Sequence, residues 1–581
     1  MQFPRPISVS TLRLGFSFVL LTALCGCTAN WYKTRADKQV YRILQKVEKD
    51  IFGEATEFSI DTPYKNRKAK EFSSEEILEE RSKSEKLLLP IDKALDTAIK
   101  FSREYQSEKE QLYLTALNLT GERHSFRPQF FANSRTTATR LSDGERRGAV
   151  SNDIGVSQAL LTGADIGIGI ANDLLRYYTG DPRKSAASVL SVNLLQPLLR
   201  GAGWKIAGER LKQSHRDVFY AVRDYAHFQN TFSTEIVILY FELLQSKDTI
   251  YNEYNNYESR KWNVEYLRAR SVDRASPEEV SDAEQDELQA RNRYINAIAR
   301  FRSSLDRFKV TLGLPQTTDL RLVDDEMTKL RSTGILPVRL TGAEGFQIAL
   351  KHRLPLMNEI DQFEDRQRQV ALAADRLKAD LNIISDATVS SDDDQPTHYE
   401  EFDFDQVRAN VGVQLNLPLD RLRERNDYRA TLVNFESAIR SLGRTFDNLR
   451  NTIDQGVREL EQFRQNYEIQ QGAVDLAENR VAGNRLRLQA GTVIFRRLSE
   501  SQDALISAQN AATAALVDYL SARLNLLVEL GILDTEEDGY WLDANPSKVD
   551  LTRFGSADVP ASAVDPTAES EVVPPNQLFP E

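Results

Sequence analysis

The feature that most constrains this chain is a strict seven-residue spacing of large apolar residues. Leu432, Ile439, Phe446, Ile453, Leu460, Tyr467, Val474, Val481 and Leu488 fall on one register. A period of 3.5 residues puts them on one seam of an α-helix and imposes a left-handed supercoil on whatever packs there. Leu211, Val218, Tyr225, Phe232 and Leu239 form a second stripe, displaced by 221 residues from the first five members of the other. A continuous helix over 204–268 would run about 100 Å at 1.5 Å per residue, longer than a globular core. Taken alone, the stripes describe a coiled-coil rod.

The duplication extends beyond the stripes. Val192-Asn193-Leu194-Leu195-Gln196-Pro197-Leu198 recurs as Val413-Gln414-Leu415-Asn416-Leu417-Pro418-Leu419, and Leu312-Gly313-Leu314 recurs as Leu530-Gly531-Ile532. Collinear repeats of this kind define the fold before any single element does. Each half opens with an amphipathic helix (89–119; 342–379), continues through an extended region, and passes a short strand ending in proline. A very long helix follows, then a break and a returning helix that stops at Gly313 or Gly531, glycines placed as helix C-caps. The organisation is 1–26 signal peptide, 27–88 lead segment, 89–315 first repeat, 316–341 linker, 342–533 second repeat and 534–581 tail. The last part of that tail is rich in proline and small residues, a composition of disorder.

The extended regions contradict a plain rod. Ile166, Ile168 and Ile170 alternate, as do Val407, Ala409, Val411, Val413, Leu415 and Leu417, and 188–195 does likewise. A period of two marks strands with one apolar face. Four strands per protomer, with an accessory extended pair around 149–175, would leave open edges in lipid, so a barrel needs other chains. Past the N-terminal segment there is no run of 18 apolar residues, so a membrane crossing by the mature chain has to be a β-barrel.

Composition narrows the chemistry. A net charge of −12 disfavours a nucleic-acid partner, which calls for a basic face. The two cysteines, Cys25 and Cys27, exclude a disulfide scaffold and a cysteine zinc cluster. The histidines (124, 215, 227, 352 and 398) stand singly, and no phosphate loop or nucleophile elbow occurs. No cofactor and no enzymatic activity are expected. The acidic stretches 392–394 and 400–405 read as solvated loop, weak candidates for metal. At the N-terminus, Arg5 and Arg13 flank an eleven-residue apolar run (14–24), too short to span a bilayer. The following Leu24-Cys25-Gly26-Cys27 resembles the bacterial lipobox, which would make Cys27 an acylated first residue.

Behind that lipobox, the doubled design resembles the TolC family of outer-membrane channels. The matching stretches are Asn193-Leu194-Leu195-Gln196-Pro197-Leu198-Leu199-Arg200-Gly201, the opening helix at 90–98, and Gln489-Ala490-Gly491-Thr492 before an alanine-rich return. The resemblance implies a mainly α fold with β: duplicated helical hairpins forming a trimeric α-barrel, plus four strands per protomer in a shared 12-stranded transmembrane barrel. It implies a lipid-anchored outer-membrane homotrimer with a periplasmic adaptor and an inner-membrane pump of RND or ABC type. Its use would be small-molecule efflux or, alternatively, type I protein secretion; a periplasmic coiled-coil scaffold is the competitor of another class. The tip turns at 270–280 and 488–498 would close the tunnel. Matched to the family pattern, gate positions fall on Glu279, Asp282, Arg497 and Glu500, with Arg497 pairing to an acid across a helix interface. Adaptor contact falls on Ala490, Gly491, Thr492 and Val493. Arg497 departs from the family pattern, which carries an acid there.

Overall fold

The computed structural model describes residues 28–543, apart from 66, 141, 143, 178–183, 272–275, 324, 336–337, 339, 392–401 and 536–538. Cys27, the signal segment, the acidic stretch 392–394 and the tail beyond 543 lie outside the described residues. The chain opens with helix α1 (Ala29–Phe52) and α2 (Ser74–Ser82), then strand β1 (Lys86–Leu89). The first repeat follows as α3 (Ile91–Phe101), α4 (Arg103–Ser125), β2 (Gln129–Arg140), β3 (Arg146–Ala159), β4 (Asp165–Tyr177) and β5 (Lys184–Pro197). Its long hairpin is α5 (Glu209–Arg270) and α6 (Pro277–Thr311). β6 (Asp319–Leu322) and α7 (Glu326–Thr333) link to the second repeat. That repeat contains α8 (Gly342–His352), α9 (Leu354–Asp375), β7 (Asp380–Ser390), β8 (Arg408–Asn416), α10 (Leu422–Gln489) and α11 (Phe495–Leu530).

The heptad stripes lie in the two longest helices, α5 with 62 residues and α10 with 68. Ile453 and Leu460 of the stripe are buried against the returning helix α11 in one core with Phe232, and Leu488 packs on the start of α11 in a separate core. Ile439 alone of the α10 stripe is half exposed. Among the described residues, α11 is the one helix long and apolar enough to cross a bilayer, yet 67% of that stretch is buried in the core. Polar bonds join the repeats where α5 crosses α9. Buried Asp365 accepts from Arg216 at 2.7 Å and Arg368 at 2.8 Å, and Arg368 also reaches Glu209.

Both opening helices expected as single elements are broken. Ser102 is extended and caps α4 through its hydroxyl, and Arg353 is extended between α8 and α9. In the second case Pro355 sits in the first turn, where its ring is tolerated. The breaks have a purpose: each receives the glycine that ends its own repeat. Gly313 (φ +75°) and Gly531 (φ +73°) close α6 and α11, and the amides of Leu314 and Ile532 bond back to Lys309 and Leu527. A Cβ on Gly313 would overlap the Phe101 carbonyl, and one on Gly531 would lie 2.5 Å from that of His352.

The expectation of four strands per protomer is corrected to six. β2-β3-β4-β5-β7-β8 form one continuous antiparallel sheet, while β1 and β6 make a separate parallel pair. The stretch taken as an accessory pair, together with Gln129–Arg140, belongs to the main sheet. Its alternation is carried largely by short Ser, Thr, Asn, Ala and Gly residues, so hydrophobic periodicity under-reports it.

Gly313→Ala and Gly531→Ala should each cost about 2–4 kcal/mol in chemical denaturation, combining positive-φ strain with overpacking. Gly443→Ala and Gly472→Ala, in open helical positions, should be neutral or stabilising by up to about 1 kcal/mol.

Candidate functional site: the sheet and the helical tip

Directly opposed residues of an antiparallel sheet share a face, so the register gives the chemistry of each side. One row runs Phe130–Val156–Ile168–Val192–Ala387–Ala409 across all six strands. The adjacent row on the other face runs Gln129–Ser157–Gly167–Asn193–Asp386–Asn410. In these rows the sheet is apolar on one side and polar on the other across all six strands, while farther along the strands Ser134, Asn152, Asn172 and Ser188 make a polar row on the apolar side. Its apolar side is open: Phe130 is 83% exposed, Val411 79% and Val413 69%. An exposed apolar surface of this extent marks a lipid or partner contact.

Among the described residues, the bonds that fasten the sheet to the helices lie at one end. Gly203 donates to the Thr162 carbonyl in the β3–β4 turn, and Gly201 donates to Asp375 of α9 at 2.7 Å. Arg421 reaches back to the carbonyls of Leu377 and Pro418 at the matching junction of the second repeat. β5 ends at Pro197, after which Leu198 makes one last bond to the Leu381 carbonyl, and β8 ends at Asn416, two residues before Pro418; proline brings no donor to the ladder where the chain turns toward a long helix.

At the opposite end the two hairpins meet. Val264, Leu267, Ala283, Leu488, Phe495 and Leu498 make a small apolar core. Arg270 donates to the Leu488 carbonyl at 2.8 Å and so joins the ends of α5 and α10. Gly491, φ +73°, closes α10: its amide bonds to Leu488 and that of Thr492 to Arg487. Above this core lies a buried arginine. Arg260 is 1% exposed and donates to Asp286 of α6 at 3.0 Å and Asp503 of α11 at 2.7 Å, with Ser499 and Asn256 completing its shell. Burial lowers its pKa from the ordinary value, and Asp503 and Asp286 oppose that shift. Arg293 adds a second link from Asp503 to Glu253. One guanidinium thus ties three helices and both hairpins together.

The residues expected at the gate stand around this clamp rather than in it. Glu279 and Ser276 form the capping box that starts α6, with Pro277 in the first turn. Asp282 is exposed one turn before Asp286, and Glu500 is exposed beside Ser499. Arg497 is also exposed, and among the described residues no ion pair within the chain involves it. Within the chain, Arg260 is an arginine that pairs to acids across helix interfaces. Of the adaptor positions, Ala490, Gly491 and Thr492 are exposed and Val493 packs on the tip core. The sequence held a signal for Arg260: the stripe that passes through Leu239 continues on Ser246, Glu253, Arg260 and Leu267. Where the second repeat has Val474 and Val481, the first has a glutamate and an arginine on the same buried seam.

The N-terminal helix has a geometry of its own. Val40, Ile43, Leu44 and Val47 pack on α4 and α5, and Asp37 accepts from Tyr113. Lys46 and Asp50 lie near His215 and Arg123, at the sheet end of α5 and α4, so α1 runs toward the sheet. Ala29 therefore stands about 30 Å farther from the sheet than Asp50, at 1.5 Å per residue.

Arg260→Val, which copies the second repeat, should leave helix content intact but speed amide exchange through the start of α11, residues 495–503, at least tenfold relative to α5 near Phe232. Unchanged exchange would show that the guanidinium does not hold the hairpins together.

Neither a protein-family model nor a curated protein matches the sequence. Solved structures do. The Campylobacter jejuni CmeC outer membrane channel superposes with a TM-score of 0.57 at 13% identity, covering 77% of this chain and 87% of that one. The Vibrio cholerae outer membrane protein VceC gives 0.56 at 14% identity, covering 76% and 96%. The open-state Neisseria gonorrhoeae MtrE outer membrane channel gives 0.56 at 12% identity, covering 76% and 89%. At 12–14% identity the likeness lies in the fold, and the chain has the TolC-like outer-membrane channel fold.

Proposed function

We propose that three copies of this chain form an exit duct in the outer membrane, passively carrying small molecules delivered by an inner-membrane pump through a periplasmic adaptor. The observation that carries the reading is the six-stranded sheet, apolar on one face and polar on the other, standing on helices about 100 Å long. A lipid-facing band and an aqueous wall are what a transmembrane barrel needs, and closure demands further copies. A periplasmic scaffold would gain nothing from an exposed apolar sheet face. The same duct would serve type I protein secretion if its pump were an ABC exporter.

The long helices support the assembly. Leu288 and Ile295 on α6, and Ile469 and Leu476 on α10, are exposed at seven-residue spacing. They form outer seams of the kind that neighbouring hairpins cover. In a trimer Glu279, Asp282, Arg497 and Glu500 become rings of three at the periplasmic constriction, where one charge per chain governs ion passage. The Arg260 clamp holds the hairpins of each protomer closed, and Ala490, Gly491, Thr492 and Val493 present the adaptor surface. Acylation of Cys27 fits this location only if α1 leaves its groove, because the docked helix starts at the end far from the sheet.

Purified protein in planar bilayers should give discrete ion conductance from heat-modifiable trimers. Charge reversal at Glu279, Asp282 and Glu500, or Arg260→Val, should raise single-channel conductance severalfold by loosening the constriction. A protein that forms no channels and is extracted by carbonate would contradict the duct.

A further inference from the structure

The first repeat carries one more β-hairpin than the second. At the sheet end the helices stand in a row, α4 packed on α5, α5 on α9 and α9 on α10. α4 leads into β2, β5 leads into α5, α9 leads into β7 and β8 leads into α10. The second repeat places two strands between its helices and the first places four. Both numbers are even, so both repeats return the chain to the helical side. The extra pair is built as part of the wall. Phe130, Val150, Ile154 and Val156 continue the apolar face, and Asn133, Ser151, Asp153 and Ser157 continue the polar one. On the polar side the Phe131 ring covers Gly155, where a Cβ would lie 2.6 Å from it, a cross-strand fit that holds the register.

We infer that β2 of one copy pairs with β8 of the next, closing an eighteen-stranded barrel of six strands per chain; the count rests on the three-copy reading above. The open edges are complementary. Strand directions alternate from β2 to β8, so β8 meets a neighbouring β2 antiparallel, and both edges need backbone partners in lipid. Girth agrees. Strands 4.8 Å apart and tilted about 40° take about 6 Å of circumference each, so six take about 38 Å. Four helices side by side at about 10 Å take about 40 Å.

Electron cryomicroscopy of the full chain in lipid nanodiscs tests this directly. The expected particle is a trimer with eighteen strands and a backbone diameter of about 36 Å. A trimer with a twelve-stranded barrel of about 24 Å, with residues 129–159 outside the wall, overturns the inference and leaves the duct standing. Particles that are not trimers overturn both. A cysteine test gives the seam independently. Val411→Cys should form an intersubunit disulfide with Phe130→Cys, Ala132→Cys or Ser134→Cys, on the same face, in a product requiring both substitutions. Linkage to Ile170→Cys on β4 instead would mean that the β2–β3 hairpin is not in the wall.

Discussion

An amide left without a partner in hydrocarbon costs several kcal/mol, and that constraint organises this molecule more than any contact within it. Among the described residues the sheet presents two unpaired edges and one largely apolar face, which the proposed duct completes with a bilayer and with further copies. Everything else in the chain serves that condition. The even strand counts return both repeats to one side, and Pro197 and Pro418 mark where the chain leaves the sheet there. The glycines at 201 and 203 make the sharp transition into helix, anchored by Asp375 and Thr162.

Below the sheet, length comes from repetition. One seven-residue seam, written twice, gives two long hairpins packed along their apolar positions. The seam is not uniform. Near the tip the first repeat exchanges apolar seam residues for Glu253 and Arg260, which replaces non-directional packing by charge-assisted hydrogen bonds to Asp286 and Asp503. A buried ion pair adds little net stability compared with an apolar isostere but is costly to break one-sidedly. Such a joint is suited to an interface with two arrangements, in which the acids exchange one partner for another.

How much of this could be read from the residues depended on which period carried it. The hairpins were legible because large apolar residues recur every seven positions, and the duplication because its matches are collinear. Gly313 and Gly531 announced the helix ends, though not the kinks at Ser102 and Arg353 that receive them, which are a matter of packing. The β2–β3 hairpin was hidden because Ser134, Thr136, Ala149 and Ser151 alternate in position with almost no contrast in hydropathy. Arg260 was hidden for the opposite reason: it lies on the heptad register but breaks its chemistry. The direction of α1 was not readable at all, since an amphipathic helix packs equally well pointing either way.

The most direct test of the account asks which face of the sheet meets lipid. Spin labels on Ile168→Cys and Val192→Cys, and on Gly167→Cys and Asn193→Cys, report collisions with oxygen and with a water-soluble nickel chelate in reconstituted bilayers. The account predicts oxygen dominance at the first pair and nickel dominance at the second. Nickel dominance at all four positions would place the sheet outside the membrane and contradict it.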